Sequence, residues 1–288
     1  MTIDVSRAVT LASKSLLEKV RDAIAEPSDR IVLMTLFVSL FCVHYVIPLS
    51  LSALVGGEPP VARTAGLIGF AAVAMVLKNL GADRVLRWWD FVAIALLAIA
   101  LIPPWPAIGA LVLTGLGVLY IVRSDRRLAS LGQLCIGLAW ISLWGPLTLS
   151  FIEPWLLPFE TALAFLPLSL FGSFSVVGNV ILGENGHSLE VLSVCSAFSN
   201  TIKTAFIWLS LVKIHGLEFR LWNIRVLAVS LAAVVLLNTI RLALMAHSYS
   251  EFVFWHNGSG ATIVQFAMLV AMLGPFYIGL RRAQSHTV

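Results

Sequence analysis

The chain has 288 residues, 59% of them hydrophobic and 12% charged, with a formal charge of +4 and a mean hydropathy of +0.94. Soluble domains carry about 25% charged residues, so this composition excludes a water-soluble globular protein and points to a polytopic membrane protein. The sequence pI near 9.2 invites a nucleic-acid reading, but the basic residues cluster in short loops between apolar runs, which is the positive-inside pattern and excludes that class too.

Leu11 to Ile24 carries Lys14, Glu18, Lys19 and Arg21 among apolar residues. No cleavage-site pattern follows it. Residues 1–30 are therefore not expected as a signal peptide; they read as an amphipathic segment on the cytoplasmic surface or, equally, as a poorly ordered tail. A spanning helix needs about 20 apolar residues and at least about 17. Ile31 to Val55 meets this, and Thr64 to Leu80 sits at the limit. Phe91 to Ile102 is short and is closed by Pro103, Pro104 and Pro106; Ala107 to Val122 is short but apolar. Leu128 to Phe151 is a clear fifth span. Cys195 to Ile214, Val226 to Ala246 and Ala261 to Leu280 complete a set of eight. With a cytoplasmic N-terminus, the inside segments hold 16 of the 19 Lys and Arg residues, and Arg63, Lys203 and Arg241 fall elsewhere. Such a bias sets the orientation, with both termini cytoplasmic.

Between Phe151 and Cys195 the pattern changes. Pro154, Pro158 and Pro167 interrupt the first half, and two β-rich runs flank Glu184-Asn185-Gly186. Asn-Gly between such runs is a hairpin turn signal. A hairpin edge in lipid would leave backbone groups without partners. Residues 152–194 are thus expected as an outer-face insertion: an amphipathic or re-entrant segment, then a small β-hairpin before the sixth helix. The alternative, a span over Leu163 to Ile181, would put Lys213, Arg220 and Arg225 outside, against the charge bias. The expected architecture is an all-α polytopic membrane protein of about eight transmembrane helices, with residues 31–288 forming a single integral membrane domain.

On this topology three reactive side chains reach the outer face. Cys195 opens the sixth helix, Arg241 lies near the outer end of the seventh, and His256 lies in the short loop before the eighth. A thiolate is a nucleophile whose pKa is lowered by a helix N-terminus or an adjacent cation. An imidazole passes protons near neutral pH, and a guanidinium stabilises an oxyanion. Asn238 lies three residues before Arg241 on the same helix face and is placed to orient it or the substrate. Lys203 lies about two turns beyond Cys195 and is a second charge within a span, a candidate either to line the same cavity or to pair with a carboxylate. Bland readings stand beside these. A Cys in an apolar segment is usually packing, and loop histidines are common. An Arg within a span is functional or paired by default, although near a helix end it can snorkel. His247 competes with His256 for the imidazole role. The cysteines, Cys42, Cys135 and Cys195, are odd in number and do not form a disulfide framework. No CxxC or His-x-x-x-His spacing appears, so no metal or cofactor is expected.

These residues carry a resemblance. Val191-Leu-Ser-Val-Cys195-Ser-Ala197, then Asn238-Thr-Ile-Arg241, then His256 with Gly260 after it, resembles the exosortase/archaeosortase family. The resemblance runs over residues 30–282 and is most specific in the last hundred residues. Two positions depart from it: Ala197 stands where the family usually has Gly, and no proline precedes Asn238 in the run from Ser230 to Leu237. The resemblance implies a membrane-embedded cysteine protease or transpeptidase of the plasma (inner) membrane, with its site on the outer face. Cys195 would be the nucleophile, Arg241 the transition-state stabiliser and His256 the acid/base. The implied partner is a secreted protein with a C-terminal sorting signal: a short motif, a transmembrane helix and a basic tail. Two other functions stay open on the residues themselves. One is a non-catalytic membrane component of exopolysaccharide assembly or export; the other is an acyltransferase acting on a lipid or glycan carrier.

Overall fold

Apolar runs in lipid must pair every backbone group internally, and helices do so within one segment. A computed structural model describes residues 60–78, 92, 95–96, 106–123, 126–183, 186–217 and 221–285, and these are mostly helical. The N-terminal amphipathic segment and the first expected span lie outside the described residues, as does the third except at residues 92, 95 and 96. The helices are α1 (Pro60–Lys78), α2 (Pro106–Arg123), α3 (Arg126–Ala139), α4 (Gly145–Leu168), α5 (Ala197–Ile214), α6 (Leu221–His247), α7 (Tyr249–His256) and α8 (Ser259–Ser285). Among the described residues three helical stretches are long and apolar enough to cross a membrane: Leu128–Leu168, Leu221–His247 and Ser259–Gly279.

Small residues set how the helices meet. A Cβ on Gly132 would lie 2.6 Å from the carbonyl oxygen of Gly117, so α2 and α3 touch backbone to backbone. That is how helices pack where lipid removes the hydrophobic drive. Leu113, Leu116 and Tyr120 of α2 interlock there with Leu131, Leu134 and Leu138 of α3. Phe206 of α5 fills the space above Gly69 of α1 and Gly137 of α3, where an added Cβ would come within 2.6 and 2.7 Å of its ring. This anchors α5 in the bundle and fixes the direction from which its first residue arrives.

The π turn Trp140–Trp144 joins α3 to α4 without breaking the helix. Pro146 lacks the N–H that would close a regular turn, and a widened turn absorbs that loss. Trp144 Nε1 donates to Thr114 Oγ1 at 2.8 Å and ties the turn to α2. The helix then runs on through Pro154, Pro158 and Pro167 to Leu168. This corrects the expectation of a separate amphipathic or re-entrant segment after Phe151: the segment is the continuation of the fifth expected span. Prolines are tolerated in such helices because neighbours and local adjustments satisfy the freed carbonyls. The alternative span over Leu163 to Ile181 is not formed, since α4 ends at Leu168 and strand follows.

The expected hairpin is present, with one more strand. Strands β1 (Ser175–Val177), β2 (Val180–Leu182) and β3 (Ser188–Glu190) form an antiparallel meander in the order β1-β2-β3. Val177 pairs with Val180, leaving Gly178-Asn179 as a two-residue turn with Gly178 at φ 61°. Gly-Asn is a hairpin signal in its own right, and it splits the first β-rich run in two. Ile181 and Leu189 point from the sheet into a core shared with Leu157 and Ala164 of α4 and Leu242 and Met245 of α6. Cys195 lies in that same core.

Candidate active site

Four short-range features place Cys195. It is the last residue of a 3-10 turn, Ser193–Cys195, and its amide donates to the Leu192 carbonyl at 2.8 Å. Ser196 caps α5, its hydroxyl accepting from the Phe198 amide at 3.1 Å. Asn238 of α6, only 2% exposed, donates from Nδ2 to the Cys195 carbonyl at 3.0 Å. The thiol-bearing residue is itself 7% exposed.

Arg241 lies one turn beyond Asn238 and shares its helix face. It thus stands on the α6 face whose Asn238 is bonded to the Cys195 carbonyl. Its Nε donates to the Trp255 carbonyl at 3.3 Å. That carbonyl belongs to the last turn of α7, where backbone oxygens lack helical partners and attract cations. The guanidinium therefore ties α6 to the end of α7.

His256 is not in a loop, as the sequence pattern suggested, but is the last residue of α7. Ser248 caps this helix by accepting from the Glu251 amide at 3.2 Å, and Glu251 in turn accepts from Trp255 Nε1 at 2.7 Å. The His256 ring stacks on Phe252, with centroids 4.9 Å apart. Its Nδ1 is 2.8 Å from Asn257 Oδ1. With an amide oxygen as partner, Nδ1 is the donor, which leaves Nε2 as the ring nitrogen free to exchange a proton with a substrate.

So the structure brings together Cys195, Asn238 and Arg241, and attaches His256 through its neighbour Trp255. Lys203 sits half-buried on α5, about 12 Å further along the helix axis. His247 is exposed and contacts Phe174 of the sheet segment. The expected help of a helix N-terminus to the thiol is also corrected. The first amide of α5 is not directed at Cys195. Ala197 N–H donates to both carboxylate oxygens of Glu160, at 3.1 and 3.2 Å, and Ser196 Oγ donates to Glu160 Oε1 at 2.8 Å.

Sequence reasoning missed Glu160 and Glu153. Glu153 accepts from Ser193 Oγ at 2.6 Å. The signal was available: two carboxylates seven residues apart lie on one helix face, in a stretch apolar enough that each ionisable group calls for a reason. It also missed Asn257, the partner of the His256 ring.

A separate cavity of about 550 Å³ opens among α3, the π turn, α5 and α6, lined in part by Gln133, Trp140, Thr201 and Leu231. None of its lining residues belongs to the Cys195 cluster. Among the described residues no group of His, Cys, Asp or Glu is arranged to hold a metal ion. Compared with protein-family models, curated proteins and solved structures, the chain matches none.

Proposed function

We propose that the protein is an exosortase-like membrane cysteine protease or transpeptidase that cleaves C-terminal sorting signals of exported proteins. The observation that carries this reading is the bond from Asn238 to the Cys195 carbonyl, which seats the thiol-bearing turn against the α6 face that also bears Arg241. In a bilayer an ionisable side chain is kept for a reason, and Arg241 lies one turn from the residue that holds the Cys195 carbonyl. The proposed topology has eight spans in the plasma (inner) membrane, both termini cytoplasmic and the Cys195 end of α5 outside.

The chemistry follows from the groups. The Cys195 thiol gives its proton to His256, and the thiolate attacks the scissile carbonyl carbon. The carbonyl electrons move onto oxygen, where Arg241 stabilises the charge. The C–N bond then breaks as His256 returns the proton to the leaving amine. This leaves a thioester on Cys195, which water, an amine or a hydroxyl resolves, regenerating the thiol.

The test is Cys195→Ala, assayed for cleavage of a reporter that carries the source cell's own C-terminal motif, helix and basic tail. Loss of at least about a thousandfold in cleavage, with unchanged membrane insertion, is expected for a deleted nucleophile. Normal processing by that variant would rule the mechanism out. A non-catalytic reading draws on the burial of Cys195; it expects Cys195→Ser to be silent in every assay of export and assembly.

A further inference from the structure

Cys195 sits between two anchors, Glu153 and Glu160, that both belong to α4. On one side Glu153 accepts from Ser193 Oγ at 2.6 Å; on the other Glu160 accepts from Ser196 Oγ at 2.8 Å and from the Ala197 amide at 3.1 and 3.2 Å. Glu160 is 7% exposed, and Ser196 and Ala197 are 3% exposed. Such a carboxylate is costly to bury, and it is retained only where its oxygens are used. Here one carboxylate takes the cap hydroxyl and the first amide of the helix that follows the thiol. A carboxylate at that place also neutralises the positive end of the helix.

We propose that Glu160 is a positioning residue for Cys195: through Ser196 and the Ala197 amide it fixes the turn that carries the thiol and occupies the positive end of α5. Stabilisation of a Cys195 thiolate then falls to Arg241. Glu160 touches neither substrate nor the reacting atoms. The inference rests on the reading of Cys195 as nucleophile only for its consequence in catalysis; its geometry stands without it.

The other ionisable groups on the elements packed around the turn have defined places. Glu153 shares α4 and is bonded to Ser193. Arg241 and His247 are on α6. His187 and Glu190 are on the sheet segment, with His187 Nε2 donating to the Met245 carbonyl at 3.1 Å. Glu251 and His256 are on α7 and are bonded to Trp255 and Asn257. On α5, Lys203 lies about two turns away. Glu160 differs from all of these in binding the residues directly after Cys195.

The experiment uses the full chain in membrane vesicles, with Cys42 and Cys135 replaced by Ser, and follows the rate of Cys195 alkylation by iodoacetamide from pH 6 to 10. Glu160→Gln keeps the shape and one acceptor but removes the negative charge. The midpoint of its rate profile is expected to fall by about one pH unit, so that below both midpoints alkylation is about tenfold faster. Glu160→Asp keeps the charge on a shorter stem that no longer reaches the cap. Its midpoint stays close to that of the parent, while its plateau rate rises severalfold because the buried turn is no longer pinned. A merely structural role would move plateau rates and leave every midpoint alone. A Glu160→Gln midpoint equal to the parent's overturns the inference. Should that variant fail to insert, a Glu160→Asp plateau equal to the parent's overturns it instead. Alkylation needs no substrate, so the two readings fail separately: active Cys195→Ala sinks the proposed function, and an unchanged profile sinks only the role of Glu160.

Discussion

Asn238 shows what a single side chain does here. Its Nδ2 donor satisfies a buried carbonyl at Cys195, and replacing it with Ala leaves that carbonyl without its donor. Leaving a buried acceptor unpaired costs about 1–3 kcal/mol. Asn238→Ala is expected to lower the unfolding midpoint in detergent and to speed Cys195 alkylation at every pH; unchanged values of both would show that the bond carries no weight. At this scale the sequence was informative about identity and poor about pairing. Cys195, Asn238 and Arg241 stand out because polar groups are rare in apolar runs, and their spacing on α6 puts Asn238 and Arg241 on one face. Their partner Glu160 was not legible as such, since it lies 35 residues before Cys195 and nothing local to either residue joins them. Asn257 was hidden differently: a residue beside a histidine acquires meaning only once the helix end between them is known.

Helix α7 carries the lesson for elements. Ser248-Tyr-Ser-Glu251 has the spacing of a capping box, so the stretch before the last span has the start signal of a helix although it is too short to span. The prolines of α4 worked the other way. Proline breaks helices in water, where the freed carbonyl and the strain weigh against continuing, but a long apolar helix packed against neighbours tolerates it. Gly260 then fixes how α7 docks on α8. A Cβ there would lie 2.6 Å from the Phe254 ring and 2.7 Å from Trp255, and Trp255 supplies the carbonyl that holds Arg241. Gly260→Ala is therefore expected to destabilise by about 1–3 kcal/mol, the usual range for overpacking, and to reduce cleavage of the reporter as the Arg241 bond is displaced. Thermal unfolding in detergent and the reporter assay measure the two effects. Wild-type values in both would mean that α7 has room to move.

For the molecule as a whole, orientation is testable without substrate. In a chain with Cys42, Cys135 and Cys195 replaced by Ser, a cysteine at Ser188 is expected to react with an impermeant maleimide on intact cells. One at His215 is expected to react only after the membrane is opened. Both positions are exposed, so a reversed pattern would invert the topology. The apolar content and the basic loops made the membrane class legible from sequence. The length of the helix from Leu128 to Leu168 was not, because hydropathy windows count spans and do not see a helix outlast one.

That helix has 41 residues, about 60 Å, against a hydrocarbon layer of about 30 Å. Its far half carries Phe151 and Trp155 at 75% and 74% exposure on one side and the two glutamates on the other. The π turn Trp140–Trp144 then acts as a fulcrum and α4 as a lever arm. A tilt of 10° about that point would sweep Glu160 sideways by about 4 Å, more than the length of the bonds it makes to Ser196 and Ala197. A bilayer of different thickness, which a long helix meets in part by tilting, is thus expected to move the seat of the thiol.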